Sequence, residues 1–110
     1  MCVTICNITA AELMSLISAD RFVLYATWGR NDGSPDLERL GLSCEEMTEK
    51  LSSAYNKAGG LFGARVAEVG KAFLKYAENR DRNELYNPDC SHPSEIGSEI
   101  AARVILDCLI

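Results

Sequence analysis

The sequence predicts an α/β domain, part of a three-layer sandwich with a short parallel sheet and flanking helices. Two observations predict it. Apolar stripes of helical period alternate along the chain with two short runs of strand-like composition, at Phe22 to Thr27 and Ala64 to Val69. Helical segments separate the two runs, so a crossover must join them, and strands joined by a crossover lie parallel. At 110 residues, with 47% apolar and 25% charged residues, the chain is expected to form one domain spanning residues 1–110 around a single core.

The elements follow in order. Thr9 and Glu12 make a capping box, which predicts a helix to about Ser18 with Leu13, Leu16 and Ile17 on one face. Phe22 to Thr27 is apolar on both alternations and predicts a buried strand. Gly29 to Pro35 is dense in turn formers and predicts a loop at the carboxyl end of that strand, where open α/β sheets bind ligands. Ser43 and Glu46 form a second capping box. The helix it opens should bury Met47, Leu51, Ala54, Tyr55 and Ala58 and stop at Gly59 and Gly60. Ala64 to Val69 predicts the second strand, and Lys71 to Glu78 a helix with Phe73, Leu74 and Ala77 inward. Asn79 to Asn83 should break that helix, leaving Leu85 to His92 irregular. Pro93 suits the first turn of a last helix, whose stripe is Ile96, Ile100, Ala101, Val104, Ile105, Cys108 and Leu109.

Two strands leave exposed edges and half-covered helices, so the chain is expected to pair with another copy of itself as a homo-oligomer, or to have its neighbouring strands supplied by a further segment. A net charge of -5, scattered along the chain, argues against nucleic acid as a partner. No apolar run approaches the roughly 20 residues that cross a bilayer, so no membrane span is expected. Met1 to Ile8 lacks the basic start and apolar stretch of a secretory signal, and a cytoplasmic location is expected. The cysteines, at 2, 6, 44, 90 and 108, are odd in number and irregular in spacing, which fits reduced thiols. No zinc-finger spacing follows Cys2 and Cys6, and no metal or other cofactor is expected.

The chemistry concentrates in Tyr86-Asn87-Pro88-Asp89-Cys90-Ser91-His92-Pro93-Ser94, followed by Gly97. A carboxylate three residues before a histidine, in a loop pinned by two prolines, can bend back to accept the imidazole Nδ1–H. That leaves Nε2 free to take a proton from a nucleophile. This segment resembles the last motif of the SGNH (GDSL-type) hydrolases, Asp-x-x-His-Pro-Ser with a glycine a few residues on. Tyr25-Ala26-Thr27-Trp28-Gly29 is similar to a strand end in a bacterial branch of that superfamily. The resemblance runs from about Phe22 to Leu109 and corresponds to the C-terminal half of such a domain. It implies a partial flavodoxin-like sandwich, a serine esterase chemistry on a small ester substrate, and catalytic roles for Asp89 and His92. Gly29-Arg30-Asn31-Asp32 matches the family's Gly-x-Asn-Asp block, which makes Asn31 an oxyanion candidate, and Trp28 a candidate to line the substrate pocket.

The sequence also departs from that pattern. The family's Gly-Asp-Ser nucleophile motif does not occur, and Asp32-Gly33-Ser34 carries the same residue types in another order inside a turn. The nucleophile is therefore unassigned, and the chain is expected to be a hydrolase fragment that is inactive alone. Three other roles compete. Asp89 and His92 could serve only to cap the last helix. The chain could be a non-catalytic α/β module for self-association. Cys90 beside His92 could act as a redox thiol, although no Cys-x-x-Cys accompanies it.

Overall fold

The first β-rich run forms strand β1, Val23–Ala26, in a computed structural model that describes residues 22–110. The helix expected between Thr9 and Ser18 lies outside the described residues, as do Cys2 and Cys6. After β1 come a loop, helix α1 (Pro35–Leu40), helix α2 (Cys44–Phe62), strand β2 (Arg65–Glu68), helix α3 (Val69–Ala77), a 3₁₀ turn (Arg82–Leu85) and helix α4 (Glu95–Leu109).

The two strands pair in parallel, with Val23 opposite Arg65 and Ala26 opposite Glu68. One face of the sheet, carrying Val23 and Ala67, packs with Phe73 of α3 and Ala101 of α4 in a core that also holds Val69, Leu85 and Tyr86. The other face meets α2. There Glu68 accepts hydrogen bonds from Ser52 Oγ at 2.9 Å and Asn56 Nδ2 at 3.1 Å. Helices on both faces of a parallel sheet make a mixed α/β architecture, a partial three-layer sandwich. No helix among the described residues is long and apolar enough to cross a membrane.

Several local expectations are corrected. β1 is not fully buried: only Ala26 is enclosed, and Tyr25 is 37% exposed. The strand has one hydrogen-bonded neighbour among the described residues, and a strand is covered on both sides only inside a wider sheet. The turn-forming run at Gly29 to Pro35 ends in a helix, α1, because Ser34 caps it and Pro35 supplies a first position that needs no N–H.

Helix α2 runs through Gly59 and Gly60 and stops at Gly63, whose φ of 66° gives the left-handed turn. Gly59 serves a different need, because a Cβ there would stand 2.7 Å from a methyl of Val66. Of the expected stripe of α2 only Ala58 is fully buried; the other enclosed positions before Gly59 lie one residue along, at Cys44, Thr48 and Ser52. These small residues bring the helix close to the chain leaving β1. Thr48 Oγ1 accepts the Gly29 N–H at 2.9 Å and donates to the Cys44 carbonyl at 2.8 Å, so its hydroxyl is buried with both partners satisfied.

The last helix starts later than Pro93. Ser94 is its N-cap, accepting the Gly97 N–H, while Pro93 lies in an antiparallel bridge with Tyr86. Of the α4 stripe, Ala101 is buried and Ile100, Val104, Ile105 and Cys108 are half-buried against the core. Ile96 and Leu109 stay exposed.

Candidate active site

The site is the loop from Tyr86 to Ser94, between the 3₁₀ turn and α4, and its shape follows from short-range bonds. Asn87 N–H donates to the His92 carbonyl at 2.9 Å, and Cys90 N–H donates to the Asn87 carbonyl at 3.0 Å. Cys90 has a φ of 60°, an unusual conformation for a residue with a side chain, which persists because bonds on both sides require it. The two carboxylate oxygens of Asp89 divide the remaining work. Oδ1 accepts the backbone N–H groups of Ser91 at 2.9 Å and His92 at 3.0 Å, and Oδ2 lies 2.5 Å from His92 Nδ1.

Asp89 is thus both the brace of its own loop and the partner of the imidazole, while the helix-capping role considered for Asp89 and His92 belongs to Ser94. The hydrogen bond from His92, followed by those from the two backbone N–H groups, pulls the Asp89 carboxyl down to about 2. It stays ionised at any pH near neutrality. With Nδ1 facing a carboxylate, the neutral imidazole carries its proton on Nδ1 and its lone pair on Nε2. Nε2 has no hydrogen-bond partner among the described residues, and the His92 side chain is 76% exposed.

The loop is anchored to the segment leaving β1. Trp28 Nε1 donates to the Ser91 carbonyl at 2.9 Å, an Arg30 guanidinium N–H reaches Ser91 Oγ, and Asn31 N–H donates to the Cys90 carbonyl at 2.9 Å. Asp89 and His92 therefore sit over the carboxyl end of the sheet, the position that open α/β folds use for ligands. Beneath them Trp28 stacks on Phe73 with centroids 4.6 Å apart, and Phe73 meets Tyr86 edge-on at 5.8 Å. Tyr86 donates its hydroxyl to the Gly29 carbonyl at 2.7 Å, and burial pushes its ionisation far up.

Asn31 is buried, with its amide nitrogen donating to Asn83 Oδ1 at 2.9 Å and its oxygen accepting the Asp32 N–H at 2.9 Å. Arg82 ties the same loop down from another side, bonding Asp32 at 3.0 Å and Glu45 of α2 at 2.5 Å. Ser34 is buried, and its hydroxyl accepts the Asp36 N–H at the start of α1, away from the role of a nucleophile. The bracing by Arg82 and Asn83 was hidden in the sequence. Both residues fall in a polar stretch that reads as a helix breaker, and nothing local links them to the loop some 50 residues earlier.

The thiols divide by position. Cys44 is enclosed in the core, where burial pushes its ionisation up. Cys90 Sγ lies 3.6 Å from the Asp32 carbonyl oxygen. Among the described residues no three His, Cys, Asp or Glu side chains converge as a metal site requires.

No protein-family model matches the sequence, and no curated protein does. A solved structure does match: that of "a putative SGNH hydrolase from Slackia heliotrinireducens", 32% identical, with a TM-score of 0.70 over 82% of this chain. The chain has an SGNH-hydrolase-like fold. It spans about half of that protein, 47% of its length. Within the SGNH-like fold, the strand end at Tyr25 to Gly29 and the loop at Asp89 to His92 lie together.

Proposed function

We propose that the chain is the acid–base portion of an SGNH-type serine ester hydrolase, acting on a small ester. His92 is the general base and acid, and Asp89 its orienting carboxylate. The observation that carries this assignment is the 2.5 Å contact between Asp89 Oδ2 and His92 Nδ1, with Nε2 open at the carboxyl end of the sheet. In the proposed step Nε2 takes the proton of a serine hydroxyl as that oxygen attacks the ester carbonyl. It then returns the proton to the departing alkoxide, while Asp89 remains ionised and holds the ring.

Among the described residues no serine hydroxyl bonds His92 Nε2, and Ser34, Ser52, Ser91 and Ser94 are all engaged elsewhere. The nucleophile and most of the oxyanion hole are assigned to a segment outside this chain, which is consistent with its spanning 47% of its structural relative. Asn31 and Trp28 act in this scheme by holding the loop, since the groups that would face a substrate are bonded to Asn83 and Ser91.

The purified chain should hydrolyse p-nitrophenyl acetate and butyrate without saturation and no faster than His92→Ala. Saturable turnover lost in both His92→Ala and Ser34→Ala would show that the chain holds its own nucleophile. Joining the chain to the part of the Slackia heliotrinireducens protein that it does not cover should produce turnover abolished by His92→Ala. A folded chimera without His92-dependent turnover removes the assignment.

A further inference from the structure

Trp28 joins the aromatic core to the catalytic loop, and no step of the proposed proton transfer uses it. Its ring stacks on Phe73 at an interplanar angle of 8° and meets Tyr25 edge-on at 6.0 Å. Phe73 is itself buried at 3% exposure and wedged against Tyr86. A ring gripped on its face and edge has little freedom to turn, so the direction of its N–H is fixed by the core.

That N–H ends on one particular peptide unit. The Ser91 carbonyl that accepts it at 2.9 Å belongs to the same planar group as the His92 N–H, which donates to Asp89 Oδ1 at 3.0 Å. The plane is therefore held at both ends, by Trp28 at its oxygen and by Asp89 at its nitrogen. Turning it about its long axis would break both bonds and take from Asp89 one of the backbone donors that hold its carboxylate, whose other oxygen faces His92 Nδ1. We propose that Trp28 is a positioning residue for the Asp89–His92 pair: its indole N–H locks the Ser91–His92 peptide plane, so the aromatic stack of the core determines where the imidazole points. This rests on Asp89 and His92 being the working pair.

Trp28→Phe keeps an aromatic ring on Phe73 and deletes the donor. The expected result is a shift of the His92 imidazole ¹⁵N and Hε1 resonances, with the Asp89 carboxyl titrating above the value of about 2 that it has in the unaltered chain. Tyr86→Phe is the control. It removes another hydrogen bond of the same cluster, to the Gly29 carbonyl, without touching Ser91, and should lower Tm while leaving the His92 signals in place. Unchanged His92 and Asp89 signals in Trp28→Phe overturn the proposal, as do equal shifts in Tyr86→Phe. A reciprocal measurement covers the case in which Trp28→Phe does not fold. Trp28 is the sole tryptophan, so its indole N–H gives one resonance, and Asp89→Ala should move it by freeing the far end of the plane. An unmoved indole signal overturns the proposal. A wild-type Asp89 that titrates as an ordinary carboxylate would instead refute the pairing, and the positioning role with it.

Discussion

Two glycines, both in helices, are expected to respond to the same substitution with opposite sign. Gly97 lies in the first turn of α4, directly behind the His92 loop, and Gly60 lies in the last turn of α2. Replacing a helical glycine by alanine removes backbone freedom from the unfolded chain and is worth up to about 1 kcal/mol where the new methyl has room. At Gly60 it has room, since nothing lies within 4 Å of the Cβ position. Gly60→Ala should stabilise the protein by roughly 0.5–1 kcal/mol.

At Gly97 the methyl would collide with the Leu85 carbonyl oxygen and stand 3.1 Å from Phe73 Cζ and 3.2 Å from Pro93 Cβ. The carbonyl cannot move cheaply, because it accepts the Ser94 N–H at 2.8 Å, and Ser94 caps the helix. Overpacking of this kind costs about 1–3 kcal/mol, and loosening the Ser94 bond adds about 1 kcal/mol. Subtracting the helical gain leaves Gly97→Ala less stable by about 1–3 kcal/mol. At this chain length each kcal/mol moves Tm by about 4 °C, so thermal and urea unfolding followed by circular dichroism should separate the two variants clearly. If Gly97→Ala melts at or above the unaltered chain, the close approach of α4 to the 3₁₀ turn is not what the site depends on.

The remaining expectations concern the carboxylate, a buried hydroxyl and the surface. The Asp89 carboxyl is lowered from its ordinary value of 3.8 to about 2, chiefly by the His92 hydrogen bond. A lowered acid contributes stability above its unfolded value that is lost as pH falls toward the folded one, so the loop should loosen between about pH 4 and 2. Carbonyl ¹³C titration should show this, and His92→Ala should raise the Asp89 midpoint. Thr48→Val keeps the side-chain shape but leaves the buried Gly29 N–H without its acceptor, which should cost about 1–3 kcal/mol in urea unfolding; an unchanged midpoint would mean that water or another acceptor replaces the hydroxyl. Leu61, Leu106 and Ile110 are 66%, 55% and 85% exposed, so light scattering should report a dimer or larger species. A clean monomer at high concentration would count against self-association.

What the sequence revealed and what it concealed divide along physical lines. Asp89 and His92 were legible because their geometry is local: the carboxylate and the groups it holds lie within three residues of one another, so spacing alone constrains them. The longer helices were legible from the repeat of their apolar faces, and the strands from short runs of β-branched and aromatic composition. The end of α2 was misread because Gly59 and Gly60 look like a stop signal, while the actual reason for Gly59 is the approach of Val66, a contact no local pattern records. The bracing of the loop by Trp28, Arg30 and Asn31 spans about 60 residues and depends on where β1 ends in space. Asn31 and Trp28 could be picked out from the sequence, but not the partners they bond.

The division between local and distant contacts bears on how the proposed acid–base pair is held within this chain. The Asp89–His92 pair needs its own loop, the end of β1 and the Phe73 stack, and each of these lies among residues 22–110. None of its bonds waits for a serine. On the proposed function, the imidazole is thus oriented before any nucleophile arrives, and a further segment would have to supply only a hydroxyl within reach of Nε2 and donors for the oxyanion. Had His92 been held by its bond to a serine, loss of the serine would have freed the ring. Because it is held from behind, by Asp89 and by the peptide plane that Trp28 is proposed to fix, the imidazole has its direction without any serine hydroxyl bonded to Nε2 among the described residues.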